Sequence, residues 1–183
     1  TVAEDKVEEE IGMFAAAMAA TLKQLDTIRQ KALDEMGPEE AAIFEAHMQI
    51  AQDPSLSDGI KSLVESSHTN VVAATAQTIE TFANIFLGME DPYMRERGAD
   101  IKDIGDRLMR NMLGMNPRGL SHISGEVILV AQDLAPSDTA SLDKNVVKGI
   151  VTAAGGPTSH AAIMARTLEI PAVMGVGDIE NFV

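Results

Sequence analysis

The chain has 183 residues, a formal net charge of −14 and 45% hydrophobic residues. This acidic balance argues against nucleic-acid binding, because contacts to phosphates need a basic patch. The absence of cysteine excludes disulfides and thiolate nucleophiles and fits a reducing compartment, and we expect a cytoplasmic location. We expect no secretory signal in the acidic first ten residues and no membrane span, since the apolar stretch at 13–20 is far too short to cross a bilayer.

The first predicted element is one long amphipathic helix. Apolar residues recur at alternating spacings of three and four from Val7 to Ala32, a seam of the coiled-coil type. We expect this helix to end near Gly37. Pro38 then opens a second helix, because proline suits the first helical position, and the Asp-Pro pair at 53–54 interrupts it.

Three further helices are predicted before residue 115. A short one lies at 56–64, a fourth runs through 72–86 and ends at Gly88, and a fifth begins at the Asp-Pro pair at 91–92. Gly114 is a good residue to end the last of them, since glycine readily adopts the left-handed conformation found there. The sequence therefore predicts a helical bundle or a pair of helical hairpins.

The pattern changes to α/β in the last third of the chain. The apolar runs at 126–131, 146–152 and 171–174 predict strands, with a loop and a short helix between the first two. Alternation of strand and helix indicates an α/β unit, in which only about three strands are visible. The predicted fold class is α+β with two subdomains, a helical bundle over 1–117 and an incomplete α/β subdomain over 118–183.

The most informative feature is the run Gly-Gly-Pro-Thr-Ser-His at 155–160, which a predicted helix follows. Glycine tolerates positive φ and lets an anion approach closely, and Thr158 or Ser159 can cap the helix. His160 then lies at the positive end of a helix dipole, where backbone N–H groups can hold a phosphoryl group on a ligand or on the imidazole itself. The alternatives are a structural or exposed histidine and a glycine pair that only builds a tight turn.

Longer strings resemble a known family. The segments 155–166 and 168–175 closely resemble the active-site signature of the phosphohistidine domain in phosphoenolpyruvate-utilising enzymes. The segments 39–47 (Glu-Glu-Ala-Ala-Ile-Phe-Glu-Ala-His), 96–107 and 125–140 resemble the N-terminal half of Enzyme I of the bacterial sugar phosphotransferase system. The chain is thus identified as similar to phosphoenolpyruvate-protein phosphotransferase over essentially its whole length.

The resemblance implies a reaction and a set of site residues. Enzyme I takes a phosphoryl group from phosphoenolpyruvate onto a histidine and passes it to a histidine of the phosphocarrier protein HPr, for sugar uptake. Neutral imidazole suits this role, because it is nucleophilic near neutral pH. His160 matches the phosphorylated histidine, Thr139 matches a threonine that hydrogen-bonds it, and Gly155, Gly156, Thr158 and Ser159 complete the expected catalytic set. For Thr139, a helix cap in the Pro-Ser-Asp-Thr turn remains the alternative.

The resemblance also implies a partner surface. The helical subdomain of Enzyme I docks HPr and is inserted into the swivelling α/β phosphohistidine subdomain; basic residues around the HPr histidine suit acidic helices. The expected partner-binding residues are Glu39, Glu45, His47, Met48 and Arg97. A packed helix histidine is the equal alternative for His47. Glu40 stands where some Enzyme I proteins have a lysine near the active-site cleft.

Other parts of Enzyme I are expected to lie outside this chain. The family has a strand-bearing segment before its first long helix, and a C-terminal barrel that binds phosphoenolpyruvate and Mg²⁺ and mediates homodimerisation. We therefore expect no metal site in this chain and no activity with phosphoenolpyruvate alone. Two alternatives stay open: an Enzyme I-like module of a fused or regulatory phosphotransferase (dihydroxyacetone or nitrogen branch), and a non-catalytic helical adaptor.

Overall fold

The computed structural model describes residues 1–115, 123, 125–157 and 159–179, without the side chains of residues 92 and 93. Helices precede a small parallel sheet, as the predicted α+β class requires. The chain divides into two compact units, Thr1–Thr27 with Phe44–Pro117 and Ile28–Ile43 with Arg118–Val183. The sequence pattern groups residues 28–43 with the helical subdomain over 1–117. In the structure they belong to the second unit. No described helix is both long and apolar enough to cross a membrane.

Five helices occupy the described residues up to 112, where the sequence predicts them. They are α1 (Val7–Glu35), α2 (Pro38–Ala51), α3 (Pro54–Ser67), α4 (Val71–Leu87) and α5 (Pro92–Met112), and a single 3₁₀ turn at Glu4–Lys6 precedes them. Two of the predicted glycine stops have positive φ, 121° at Gly37 and 62° at Gly114, whereas Gly88 ends α4 with a φ of −77°. Beyond α5, the N–H of Met115 donates to the carbonyl of Arg110 at 2.9 Å and so satisfies one of the last helical carbonyls.

Side-chain caps define the starts of α3 and α4. The carboxylate of Asp53 accepts from the N–H of Ser55 at 2.8 Å, and the amide oxygen of Asn70 accepts from the N–H of Ala73 at 2.9 Å. His68 closes α3 in the left-handed conformation, with a φ of 48°. The predicted turn at 66–70 is therefore this cap-to-cap connection.

The first unit is built on a core shared by α1, α3, α4 and α5. Two glycines on α5 let α4 approach closely: a Cβ at Gly98 would lie 2.7 Å from the Leu87 side chain, and one at Gly105 would lie 2.7 Å from that of Ile79. This contact offsets the helix propensity that glycine costs inside α5. The core consists of Phe14, Leu56, Ile60, Val64, Val71, Ala74, Ile79, Ala83 and Ile101.

The second unit contains the sheet. Strands β1 (Val127–Ala131), β2 (Val147–Thr152) and β3 (Ala172–Val173) are parallel and lie in that order. Helix α6 (Pro136–Ala140) follows β1, and helix α7 (His160–Thr167) connects β2 to β3. Between β1 and β2, the register shifts after the first pair, so that Ile128 lies opposite Gly149.

Helix α7 packs onto this sheet through its apolar side. The core of the unit combines residues of the sheet, of α7 and of the connecting loops, and Met36, from the end of α1, packs against it. That contact is one reason why 28–43 belongs to this unit. The buried apolar residues of this cluster are Leu134, Leu142, Val147, Ile150, Ala161, Ala165, Leu168 and Ile170.

Candidate functional site

The candidate site lies where the chain leaves β2 and enters α7. β2 ends at Thr152, and His160 is the first residue of α7, where it is partly exposed. In open parallel sheets, ligands bind beyond the carboxyl ends of the strands, which is where this loop lies. The sequence motif therefore places its histidine at the expected edge of the sheet.

Ser159 fixes the start of α7. Its φ of −65° and ψ of 152° are those of a capping residue, and its Oγ accepts from the N–H of Ala162 at 3.3 Å. The same hydroxyl donates to the carbonyl of Gly156 at 2.9 Å, and the N–H of Ser159 donates to that carbonyl at 3.1 Å. Of the two roles expected for Ser159, the structure shows the cap. Thr158 lies outside the described residues.

The two glycines of the motif differ in what the backbone demands. Gly155 has a φ of 90°, and a Cβ there would lie 3.4 Å from the Oγ of Ser159. At Gly156 the added Cβ would meet no atom of the described part of the chain within 4 Å, and the φ is not in the left-handed region. Of the two glycines, Gly155 alone has the positive φ that this turn imposes.

The electrostatics of this helix start favour an anion. The first turn of α7 carries no acidic side chain, and the helix dipole places partial positive charge there. Among the described residues, no group of three or more histidine, aspartate or glutamate side chains is placed to hold a metal ion.

Thr139 supports α7 through a buried contact. It lies in α6, which packs against α7, and its Oγ1 donates to the carbonyl of Pro136 at 2.9 Å. The Sδ of Met164 lies 3.0 Å from the same oxygen, and Met164 is one helical turn after His160. The hydroxyl of Thr139 thus bonds back to its own helix, whose N-cap Ala135 makes no side-chain cap bond, and a hydrogen bond from Thr139 to His160 stays a prediction.

The other end of α7 is tied to α2. The hydroxyl of Thr167 donates to the Oε1 of Glu40 at 2.8 Å, within the second unit. Glu40 is the position at which the sequence departs from some Enzyme I proteins. Its carboxylate is therefore engaged by the last residue of the helix that begins with His160.

The five expected partner-binding residues differ in exposure. Glu39 and Glu45 are exposed, and Met48 and Arg97 are partly exposed, so that a contact with a partner stays a prediction for these four residues. Arg97 also lies 3.5 Å from the carboxylate of Asp100. His47 is completely buried.

The expectation that a partner contacts His47 is wrong for this structure. The ring has 0% exposure, and its Nε2 lies 3.1 Å from the Oδ1 of Asp100. Its Nδ1 lies 3.7 Å from the Oδ2 of Asp103, and Phe44 packs edge-on against it with 5.7 Å between ring centroids. A ring without exposed surface cannot touch a partner, so the alternative of a packed helix histidine describes it.

Sequence reasoning missed the segment that follows β3. The N–H groups of Gly175, Val176 and Gly177 donate to the carbonyls of residues 154, 152 and 153, at 3.2, 3.2 and 3.1 Å. The segment therefore pairs along the start of the loop that carries His160. The signal for it was the Gly-Val-Gly run at 175–177, directly after a predicted strand.

With this geometry, the chain can be compared with known proteins. Residues 1–97 match the family of the PEP-utilising enzyme, N-terminal, and residues 123–183 match the PEP-utilising enzyme, mobile domain. The chain therefore belongs to the PEP-utilising enzymes. The described histidine at a helix start lies within the part matched by the mobile domain.

More particularly, its relatives are phosphoenolpyruvate-protein phosphotransferases. The protein of this description from Listeria monocytogenes is 44% identical over 173 residues, which cover 94% of this chain and 30% of the relative. That from Lactococcus lactis subsp. lactis is 45% identical over 184 residues, covering 100% of this chain and 32% of the relative. The chain thus spans about a third of the length of these relatives.

Solved structures confirm the predicted fold class. A solution structure of an Enzyme I protein superposes with a TM-score of 0.80 at 43% identity, over 100% of this chain and 74% of the other. The N-terminal domain of "Enzyme 1 - Nitrogen" superposes with a TM-score of 0.67 at 28% identity, over 93% and 69%. The family resemblance drawn from the motifs is confirmed as well.

Removing the Ser159 cap tests the local geometry of the site. We expect Ser159→Ala to lower the free energy of unfolding by about 1 kcal/mol, the usual cost of such a cap, in urea denaturation. Asn70→Ala removes the corresponding cap of α4 and should cost a similar amount. The amide resonances of Gly156 and His160 should shift in Ser159→Ala alone; equal spectra for the two variants would show that the hydroxyl does not hold this loop.

Proposed function

We propose that this chain is the phosphoryl-carrying part of an Enzyme I. His160 accepts the phosphoryl group of phosphoenolpyruvate, which another part of the protein binds, and passes it to the histidine of HPr for sugar uptake. The observation that carries this proposal is the partly exposed His160 at the start of α7, capped by Ser159, within a segment that matches the mobile domain of PEP-utilising enzymes.

The chemistry requires a neutral imidazole and an in-line approach. The lone pair of a ring nitrogen attacks phosphorus, the new P–N bond forms, and the P–O bond to the enolate of pyruvate breaks; the enolate then takes up a proton. In the second step, an HPr histidine attacks the same phosphorus and the P–N bond to His160 breaks. Such transfers depend mainly on positioning and on charge stabilisation, which the start of α7 supplies.

Charge supports HPr as the partner. The chain carries a net charge of −14, and acidic surfaces steer and orient a basic partner. Glu45 is exposed on α2, in the first unit, and Glu39 is exposed on the first turn of the same helix. The proposal further includes a cytoplasmic location, a homodimeric full-length protein, and Mg²⁺ and phosphoenolpyruvate bound outside this chain.

Transfer from phosphorylated HPr tests the proposal without phosphoenolpyruvate. The folded chain should take up acid-labile, base-stable label from HPr phosphorylated with ³²P. Glu45→Lys should slow uptake about 5- to 10-fold at low salt, with the difference shrinking as salt screens the charges. Glu65→Lys makes the same charge change at an exposed position of α3 and is the control, expected to have little effect. A folded wild-type chain that takes no label would contradict the proposal.

The regulatory branch is a second candidate for the same chemistry. The superposition on the N-terminal domain of "Enzyme 1 - Nitrogen" favours it, although at 28% identity against 43% for the Enzyme I structure. The two candidates differ in the partner rather than in the role of His160. Competing uptake from the HPr proteins of the sugar and nitrogen branches would separate them.

A further inference from the structure

Gly175 lies at the closest approach between two loops of the second unit. Its φ is 73°, and a Cβ built there would lie 2.9 Å from the carbonyl oxygen of Gly155. Cβ atoms in proteins essentially never come that close to another heavy atom. Because the obstacle is a backbone atom rather than the end of a flexible side chain, any residue other than glycine at 175 must push this segment and the loop at Gly155 apart.

A displacement of Gly155 is transmitted to the start of α7. Gly155 has a φ of 90°, and its own Cβ position would lie 3.4 Å from the Oγ of Ser159. Ser159 caps α7 and holds the carbonyl of Gly156. His160 is the next residue. A shift of Gly155 is passed along the backbone to Gly156, whose carbonyl accepts from both the hydroxyl and the N–H of the capping residue Ser159.

We propose that Gly175 is a positioning residue for phosphoryl transfer, which sets the place of His160 by backing the loop at Gly155; this inference rests on the proposed function. Backbone hydrogen bonds hold the segment in register, since Gly175 donates to Ala154 and its neighbours donate to the adjoining carbonyls. An error of about 1 Å in the position of a reacting group can cost about 100-fold in rate. The lack of a side chain at residue 175 therefore affects the rate of phosphoryl transfer, because it sets the position of the nucleophile His160.

The chain offers a closely matched control two residues away. Gly177 has a φ of 76°, and a Cβ there would meet no atom of the described residues within 4 Å. Its N–H also donates to the loop, at 3.1 Å from the carbonyl of Ala153. Alanine at either position therefore suffers the same unfavourable φ, but only alanine at 175 meets the backbone of the loop.

The experiment compares Gly175→Ala with Gly177→Ala in the whole chain, with phosphorylated HPr as the donor. We expect Gly175→Ala to lower the transfer rate at saturating HPr about 10- to 100-fold with an unchanged KM for HPr. Gly177→Ala should stay within about threefold of the wild type, because it strains φ without moving the loop. The amide resonances of Gly155, Gly156, Ser159 and His160 should shift in Gly175→Ala and not in Gly177→Ala.

Three results would overturn the inference. They are equal rate losses in the two variants, a rise in KM with no loss of rate, and unshifted amides of Gly155, Gly156, Ser159 and His160 in Gly175→Ala. If the wild type takes no label, the proposed function fails, and the amide comparison alone decides whether Gly175 positions the loop.

If Gly175→Ala does not fold, native-state hydrogen exchange of the wild type decides instead. The amides of Gly175 and Ala162 should then open with the same free energy, because the segment and the capped loop form one unit. Independent opening of these two amides would overturn the inference.

Discussion

Replacing His160 with alanine should abolish uptake of the phosphoryl group from phosphorylated HPr. The variant lacks the nitrogen that forms the P–N bond, and neither Ser159 nor the helix dipole can replace a nucleophile. The fold should survive, because His160 is partly exposed and alanine is a good helix residue, so the free energy of unfolding should change by at most about 0.5 kcal/mol. The measurement is label incorporation together with urea denaturation.

His68→Ala is the matched control for this experiment. His68 ends α3 in the first unit, so the variant should lose some stability at its left-handed position and keep its label. His160→Gln retains a polar side chain and should behave like His160→Ala in transfer. Label that persists in the His160 variants would place the phosphoryl group on another residue and remove the basis of the proposed function.

The second large effect is expected at His47, and it concerns stability. His47→Leu leaves the carboxylates of Asp100 and Asp103 facing an apolar side chain in the interior of the first unit. Losing one partner of a buried polar pair costs more than an exposed contact, and we expect the free energy of unfolding to fall by about 2–4 kcal/mol. Urea denaturation measures it, and Glu45→Ala, exposed on the same helix, should cost less than about 0.5 kcal/mol.

A double-mutant cycle separates this contact from simple loss of packing. His47→Leu combined with Asp100→Asn should cost clearly less than the sum of the single variants, by about 1 kcal/mol or more, because the second change removes a charge that the first left without its imidazole. Additive effects would show that the two side chains are not coupled. A His47→Leu chain of wild-type stability that no longer binds HPr would restore the surface role.

Local signals predicted most of the helical fold. The three-four spacing from Val7 to Ala32 marks one face of a single helix, and helices break where glycine adopts positive φ, as at Gly37, or where proline lacks a hydrogen-bond donor, as at Pro54. Such signals act within a few residues. These signals can therefore be recognised in the sequence without knowing what packs against the helix.

The signals do not say which partner covers an apolar face. Residues 28–43 carry helical patterns like those before and after them, yet Met36 packs against the core of the second unit. The burial of His47 depends likewise on Asp100 and Asp103, two carboxylates of α5, far away in the sequence. The local sequence around a helical histidine is the same whether or not such carboxylates pack against it.

At the candidate site too, local features could be predicted from the sequence, whereas contacts between distant segments could not. The motif predicted a histidine at a capped helix start, because capping residues and glycine turns are local properties, and Ser159 and Gly155 confirm it. That a Cβ at Gly156 would meet no described atom within 4 Å, while one at Gly175 would collide with backbone, could not be predicted. Both facts depend on the distance between loops that are separated by a whole helix.

The most direct test of the proposed function is to locate the phosphoryl group on the wild-type chain. After incubation with phosphorylated HPr, tandem mass spectrometry under neutral or basic conditions should find one phosphohistidine, at His160, among the four histidines of the sequence. That result would establish both the carrier residue and a competent encounter with HPr. A phosphoryl group on His47, His68 or His122 instead, with His160 unmodified, would contradict the account.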